Sequence, residues 1–587
     1  MAVITIIKEK TSIILLFSIF LFSFILDIYI LTRYNLSYGM DGPFYDLKVL
    51  SILQTGFPAS NDPPLVYYML TPFVALTGNS FLGIKIGMSI IGSMMVFPAY
   101  LLTETFSNEL DFKSKVPALL SAFLIAINLS YFQMIGDFMQ NLAGVFFLLL
   151  LIYFNVKWLE NTKQWHKYGL ITLILLLCSI LTHIYTGMLA VVIFISLLIF
   201  NITIIKYKTG KLPIFDLKVF GIMGLLIIGV LFAMFNIYPI MLSKFTTVIS
   251  FFNGTTSSNT SIENSTNLTL FLTIPFLLGI YATIKTLFRG IKDRNTIQNI
   301  VTNKKTLLSW VYLVMTVVLI VLSIVPSDYQ SRFVAMVFVP IALITPIGLK
   351  LIENWLSNKF PGKNIFKIGL ISIIAIIFAM SSFYTAAGAF SGLSPSISSD
   401  EYNNLLHIKT SYTSNKIDPN GIIMVDDYHT GYWVQYVLGM QVETGNLTEL
   451  KAKYPDRKIY RISLNQSQIS LPKTGSQELW YPFLPYSFPF GGVDLLSNLR
   501  SSGLPVGNIT NLNHSPPGFG NKNLSFNDSN GPINHQNRTN PINTSNQVPL
   551  DSGNRFNGGI DSINTLNTFN TGTIIFNGGS IKIYELS

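Results

Sequence analysis

Residues 11–32 read Thr11-Ser12-Ile13-Ile14-Leu15-Leu16-Phe17-Ser18-Ile19-Phe20-Leu21-Phe22-Ser23-Phe24-Ile25-Leu26-Asp27-Ile28-Tyr29-Ile30-Leu31-Thr32, and shortly after them comes Tyr38-Gly39-Met40-Asp41-Gly42-Pro43-Phe44-Tyr45-Asp46. The first stretch has about the 20 mainly apolar residues that a bilayer-crossing helix needs. The second places a carboxylate just beyond it. A carboxylate beside hydrocarbon is expensive unless it is solvated or used, so Asp41 is the first place to look for chemistry.

The apolar pattern recurs near 79–103, 116–134, 139–157, 168–183, 184–204, 217–239, 268–288, 306–326, 331–350 and 366–386. With the opening stretch this makes about eleven spans. Half of the 587 residues are hydrophobic and only 12% are charged, which excludes a large soluble core. The fold class is an α-helical polytopic membrane protein. The single cysteine, Cys178, lies inside an apolar run, so an intrachain disulfide and a cysteine metal site are excluded. No small-x-small cleavage site follows the first span, which is too long for a signal peptide and reads as an uncleaved anchor.

The net charge of +10 is unevenly placed. From Ala386 onward there are 13 Lys and Arg against 14 Asp and Glu, so the excess lies in the loops between spans and argues against nucleic acid as a partner. Lys8 and Lys10 precede the first span. Lys113 and Lys115, Lys157, Lys163 and Lys167, Lys206, Lys208, Lys211 and Lys218, Lys285 to Lys305, and Lys350 to Lys367 mark every second loop after it. The positive-inside rule makes these loops cytoplasmic, with the N-terminus inside and the tail outside, in a plasma membrane. The stretch from Pro63-Pro64-Leu65 to Gly78 is apolar but short and proline-led. It is expected as a re-entrant or interface-lying helix, since a full crossing would reverse every later loop.

The tail is expected to be a separate α/β domain. Ser398-Ser399-Asp400-Glu401 has the form of a capping box. Gly421-Ile422-Ile423-Met424-Val425 is a buried-strand pattern, and a helix and another strand should follow it. Thr573-Ile574-Ile575-Phe576-Asn577-Gly578-Gly579-Ser580-Ile581-Lys582-Ile583-Tyr584 reads as a β-hairpin turning at Asn-Gly. The expected organisation is a membrane domain at 1–386, an α/β domain at 387–494, a disordered Asn/Ser/Gly-rich insertion at 495–570, and a closing hairpin at 571–587. Sequons at Asn253, Asn259, Asn264 and Asn267 fall in one loop, where chance in an Asn/Ser/Thr-rich stretch explains them.

Several short motifs resemble those of GT-C-type membrane glycosyltransferases, which use lipid-linked sugar donors. The stretch Gly39-Met40-Asp41-Gly42-Pro43-Phe44-Tyr45 through Gly56-Phe57-Pro58, and then Asn61-Asp62-Pro63-Pro64-Leu65, resembles their first external loop. Gly83-Ile84-Lys85, Leu181-Thr182-His183 and Tyr329-Gln330-Ser331-Arg332-Phe333 resemble a basic span start, a span-end histidine and a late Arg-Phe. The tail resembles the external domains of archaeal members, some of them oligosaccharyltransferase-like. The resemblance implies an inverting enzyme with Asp41 as catalytic base or as ligand of a divalent cation such as Mg or Mn. It implies a polyprenyl-phosphate-linked sugar donor and a glycan, lipid or protein acceptor. Two features depart from the pattern. Asp41 is followed by Gly42 rather than by a second acid. Asp427-Tyr428-His429-Thr430-Gly431-Tyr432-Trp433 only loosely echoes the tandem-Trp, Asp-Tyr-Gly signature of oligosaccharyltransferases, so sequon recognition does not carry over.

The chemistry can also be argued from the residues. A sugar on a polyprenyl phosphate has its reactive carbon at headgroup level. A carboxylate there can take the acceptor's proton, and a cation can stabilise the departing phosphate. Asp41 suits the first role. Arg332 suits the second, because its planar fork matches phosphate oxygens, with Lys85 as a second cation. Asp46, Asp62, Asp137, His183 and Tyr45 complete the expected donor site, with Tyr38, Tyr67 and Tyr68 offering further ring faces and hydroxyls. Plainer roles stand beside these: Asp41 as a helix cap, Asp62 as a turn residue, His183 as a satisfied span-end histidine, Arg332 as a snorkelling cation, and the tyrosines as an interfacial belt. The other readings are an oligosaccharyltransferase-like enzyme, a catalytically inactive glycan-binding scaffold, and a transporter or flippase of lipid-linked glycans. A transporter would place its polar groups near the midplane and often shows internal repeats, neither of which this sequence displays.

Overall fold

In a computed structural model of the protein, the described residues are 2–237, 270–292, 304–324, 330–360, 393–410, 417–464 and 572–586, apart from 40, 59–61, 111, 113, 161 and 579, together with the isolated 369, 372 and 376. The protein is a polytopic helical membrane protein with a small C-terminal α/β domain.

Among the described residues, eight helices are long and apolar enough to cross a membrane: Lys10–Leu31, Ser80–Glu109, Met139–Glu160, Thr162–Thr182, Ile184–Thr209, Thr273–Lys292, Lys304–Ser323 and Arg332–Lys359. A bent pair, Val116–Ala126 and Ser130–Gly136, turns by 46° and would make a ninth. Asn128 builds the bend, because its side chain accepts from the Ser130 amide at 2.9 Å and starts a second helix. Of the other two expected spans, 217–239 is met by helix Ile214–Ile237, whose apolar part Leu217–Gly229 is short. The span at 366–386 lies outside the described residues apart from three isolated positions, as do the 495–570 insertion and the four sequons.

The first span exposes most of its surface, with Ile13, Phe17 and Ile25 more than half accessible. Such a face suits lipid. Its opposite face is polar. Asp27 is fully buried and accepts a hydrogen bond from the Tyr131 hydroxyl, fastening the span to the bent pair. Elsewhere small residues let helices approach closely. A side chain at Gly348 would run into the carbonyl of Pro275, so Arg332–Lys359 and Thr273–Lys292 meet nearly backbone to backbone.

The proline-led stretch forms helix Leu65–Thr77, which packs against the next span. The link between them is tight. Gly78 adopts a left-handed conformation, and the Asn79 side chain caps the following helix by accepting from the Leu82 amide at 3.0 Å.

The C-terminal domain has a five-stranded mixed sheet built from β1 (Ile422–Val425), β2 (Gln441–Thr444), β3 (Ile459–Leu464), β4 (Gly572–Asn577) and β5 (Ile581–Leu586). Its order is β2-β1-β3-β5-β4. The first three strands are parallel, with Ile422 opposite both Gln441 and Ile459, and β5 runs antiparallel to β3 with Ile583 opposite Ile462. Central β1 is buried at all four positions, as its unbroken apolar run requires. The capping box is present: Glu401 accepts from the Ser398 amide at 2.7 Å, and Ser398 Oγ accepts from the Glu401 amide at 3.2 Å. The closing hairpin turns at Asn577-Gly578 and supplies two strands of the sheet. Asn404 of helix Ser399–Thr410 fastens it by donating to the Gly578 carbonyl at 3.0 Å.

The α/β core does not stop at the domain's own residues. Phe81, at the start of the second span, joins it, with ring centroids 5.0 Å from Tyr436, 6.0 Å from Trp433 and 6.2 Å from Tyr402. Burying an aromatic side chain of this size is worth roughly 2–3 kcal/mol, so Phe81 acts as a plug between the two parts.

Candidate active site

Asp41 stands immediately before helix Gly42–Thr55, where Pro43 fits the helix's first turn. That position suits a capping aspartate, but its side chain makes no capping hydrogen bond. The carboxylate instead faces other groups. His429 Nδ1 lies 3.8 Å from its Oδ1, and the two side chains remain 23% and 27% exposed, leaving a route for a reactant. Burial pushes the Asp41 carboxyl above the usual carboxylate range. His429 pulls against this most strongly, Arg332 next, and the charge on Asp62 adds to the push.

The loop before Asp41 is held from two sides. Gly39 has φ +70°, and its amide donates to the Ser394 carbonyl at 3.2 Å. A side chain at Gly39 would collide with Asp137 Oδ1, so Asp137 closes directly over the loop. Asp137 itself ends helix Leu129–Gly136. From the next helix, Gln140 ties three segments together. Its backbone amide donates to the Tyr45 hydroxyl at 3.3 Å, and its side chain donates to the Pro63 carbonyl at 3.2 Å and the Tyr67 hydroxyl at 3.0 Å. These bonds fix the segment after Asp62 beside the loop. Burial, then the charge of Asp41, raises the Tyr45 hydroxyl well above an ordinary phenol, so Tyr45 stays protonated and structural.

Arg332 approaches from its own span. Its Nη1 lies 3.0 Å from His183 Nε2, and its guanidinium sits over the rings of Phe138 at 5.1 Å and Tyr185 at 5.8 Å. His183 is buried at the junction of two spans. An arginine held between aromatic faces, with histidine at one edge, is pre-oriented to present its remaining donors to an anion.

The structure thus brings Asp41, Asp62, Asp137, His183 and Arg332 into one neighbourhood. It places Asp46 and Lys85 elsewhere. Asp46 is fully buried and accepts from the Ser37 hydroxyl, and burial raises its carboxyl to about 7 despite Ser37, Ser80 and Lys85. Lys85 is 5% exposed and donates to the Tyr34 carbonyl at 2.6 Å. These two residues brace the loop from behind. The physical reason is the helix phase: Asp46 lies on the buried side of Gly42–Thr55 with Tyr45 and Val49. The tyrosines expected as sugar contacts are also mostly structural. Tyr38 donates to the Ile30 carbonyl at 2.6 Å, Tyr67 is fully buried, and Tyr68 donates to the Gly56 carbonyl at 2.9 Å.

Sequence reasoning missed the contribution of the C-terminal domain, His429 and Tyr432. The Tyr432 ring lies 5.0 Å from Phe44. The available signal was a strand followed by Asp427 and a helical pattern, which puts a helix start at the carboxyl end of a parallel strand. Among the described residues no group of three His, Cys, Asp or Glu side chains converges to hold a metal ion. The arrangement therefore does not fit the divalent cation that the resemblance implied, and no chemical step is derived through one.

Residues 61–215 match the family described as dolichyl-phosphate-mannose-protein mannosyltransferase. The fold is similar to that of the Archaeoglobus fulgidus oligosaccharyltransferase in the apo form, at TM-score 0.52 and 13% identity over 77% of this chain and 70% of that one. The same protein in complex with Zn and sulfate gives TM-score 0.52 and 12% identity over 76% and 68%. ArnT from Cupriavidus metallidurans in the apo state is a looser likeness, at TM-score 0.47 and 10% identity over 79% and 95%. Comparison with curated proteins found no match. One segment of the chain is thus similar to a membrane mannosyltransferase family, and its overall fold is similar to that of a membrane oligosaccharyltransferase.

Proposed function

We propose that the protein transfers a sugar from a polyprenyl-phosphate-linked donor to a glycan, lipid or protein acceptor at the outer face of the membrane, with Asp41 as the general base. The observation that carries this reading is the Asp41 side chain, which occupies a capping position without capping and stands half-open beside His429 and within the field of Arg332. In the reaction the acceptor's proton passes to Asp41 as its oxygen or nitrogen bonds to the anomeric carbon. The bond from that carbon to the carrier phosphate breaks, and its electron pair leaves on the phosphate. A single displacement of this kind inverts the anomeric configuration. Arg332, held by His183, Phe138 and Tyr185, receives the developing phosphate charge. Asp62, in the field of Asp41, and Asp137, closed over Gly39, are suited to accept hydrogen bonds from sugar hydroxyls. The outward orientation is supported by the basic bias of alternate loops.

The test is sugar release from polyprenyl-phosphate donors by the purified full chain in vesicles, comparing wild type with Asp41→Asn. Loss of release with intact folding supports the reading, and wild-type rates in the variant refute it. A flippase would keep translocating donor in the Asp41→Asn variant, which separates the transport reading from the enzyme.

A further inference from the structure

His429 reaches the site from the C-terminal domain, 3.8 Å from the Asp41 carboxylate, and several contacts fix its helix there. It lies in the first turn of helix Tyr428–Leu438, which Asp427 caps by accepting from the Thr430 amide at 2.9 Å and the Thr430 hydroxyl at 2.6 Å. Tyr432 follows three residues later, hence on the same helix face, and packs on Phe44, which is itself three residues beyond Asp41. One turn further on, Tyr436 shares a hydrogen bond of 3.0 Å with Ser80 and lies against Phe81. On the adjacent face the fully buried Trp433 donates to Ser396 at 2.7 Å. The same domain's leading segment pairs with the loop at Gly39 and Pro395, and its Leu393 carbonyl accepts from Arg33 at 3.2 Å. His429 is therefore presented to Asp41 by a docked surface rather than by a free chain.

Asp41 needs such a partner. Its carboxylate is not tied to its own helix, and Arg332 is near enough to attract it. A carboxylate that closed onto Arg332 would neutralise the cation meant for phosphate and would turn the base away from the acceptor. We propose that His429 is a positioning residue which holds Asp41 in its proton-accepting orientation, so that the C-terminal domain forms part of the transfer machinery. This rests on Asp41 being the base, and the role is played through Asp41 without contact with the reacting atoms.

The test uses the full chain in vesicles carrying radiolabelled polyprenyl-phosphate mannose or glucose, with His429→Ala, His429→Gln, Asp41→Asn and the Asp41→Asn/His429→Ala double variant. His429→Ala should lower kcat about 10- to 100-fold with donor KM within about twofold, because a misaimed base costs rate rather than binding. His429→Gln, which keeps a polar N–H able to face the carboxylate across the 3.8 Å contact, should recover part of that loss. In the Asp41→Asn background, removal of His429 should cost nothing further. Wild-type kcat in His429→Ala beside an inactive Asp41→Asn overturns the inference and leaves the base in place. An equal fold-loss in both backgrounds also overturns it, because His429 would then act independently of Asp41. A fully active Asp41→Asn removes the base itself and the inference with it. A structure of His429→Ala gives a readout without a donor: the Asp41 carboxylate should turn toward Arg332, and an unmoved carboxylate contradicts the proposal.

Discussion

Asp41 and Asp46 sit on the same short helix start, carry the same side chain and meet different fates. Asp46 faces the bundle, is fully buried and is held by the Ser37 hydroxyl with Lys85 in its field. Asp41 faces a partly open space shared by two spans, the following loop and the C-terminal domain. Burial raises the carboxyl in both cases, yet only at Asp41 is the group accessible to a reactant. The lesson is that a perturbed carboxylate becomes a candidate base through access and through freedom from its own helix cap, and burial by itself is insufficient.

Neutralising each acid in turn separates the two roles. Asp41→Asn should lower transfer about 10²- to 10⁴-fold, the usual range for removing a general base. Asp46→Asn should stay within a few-fold of wild type once equal amounts of folded protein are compared. Arg332→Ala comes next: donor KM should rise about 10- to 100-fold, with His183→Ala giving a smaller change in the same direction, both read from initial rates against donor concentration. The pH profile of kcat follows. Because the Asp41 carboxyl is raised and must be unprotonated to act, the rate should rise with pH along a limb lying above the range near 4 of an ordinary carboxylate. A limb at about 4 would mean a well-solvated acid.

The smallest effect concerns stability. Asp46 holds its proton more tightly folded, with a value of about 7, than an unfolded carboxyl does. The folded state is therefore favoured most at low pH, and that advantage is lost as pH rises from about 4 through about 7. Relative to wild type, Asp46→Asn should have its more favourable Tm difference at about pH 8 and its less favourable one at about pH 5. A pH-independent difference would show that Asp46 is already ionised in the folded protein.

Much of the architecture was legible in the chain. The long apolar runs fixed the membrane class, and Ser398-Ser399-Asp400-Glu401 and Asn577-Gly578 marked a helix start and a hairpin that the structure contains. Those signals are local, so composition and spacing suffice to read them. The site was legible in part. Asp41 and Arg332 stood out because each breaks the apolar or charge pattern around it. Whether Asp41 caps or stays available could not be read, since Asp before Gly-Pro fits both. The burial of Asp46 depends on Ser37 folding back over the helix, and the role of His429 depends on docking through Phe81, Tyr432 and Tyr436. Contacts between distant segments leave no periodicity for sequence reasoning to detect.

If Asp41 is the base and Arg332 the phosphate cation, a bound donor should lie with its sugar toward the half-open acid of the first loop and its phosphate against the aromatic-flanked arginine. A structure with a polyprenyl-phosphate sugar bound tests this most directly. The Asp41 carboxylate should stand on the acceptor side of the anomeric carbon, with the Arg332 guanidinium on the phosphate oxygens. A donor seated away from Asp41, or with its phosphate on Lys85 and its sugar toward Asp46, would contradict it.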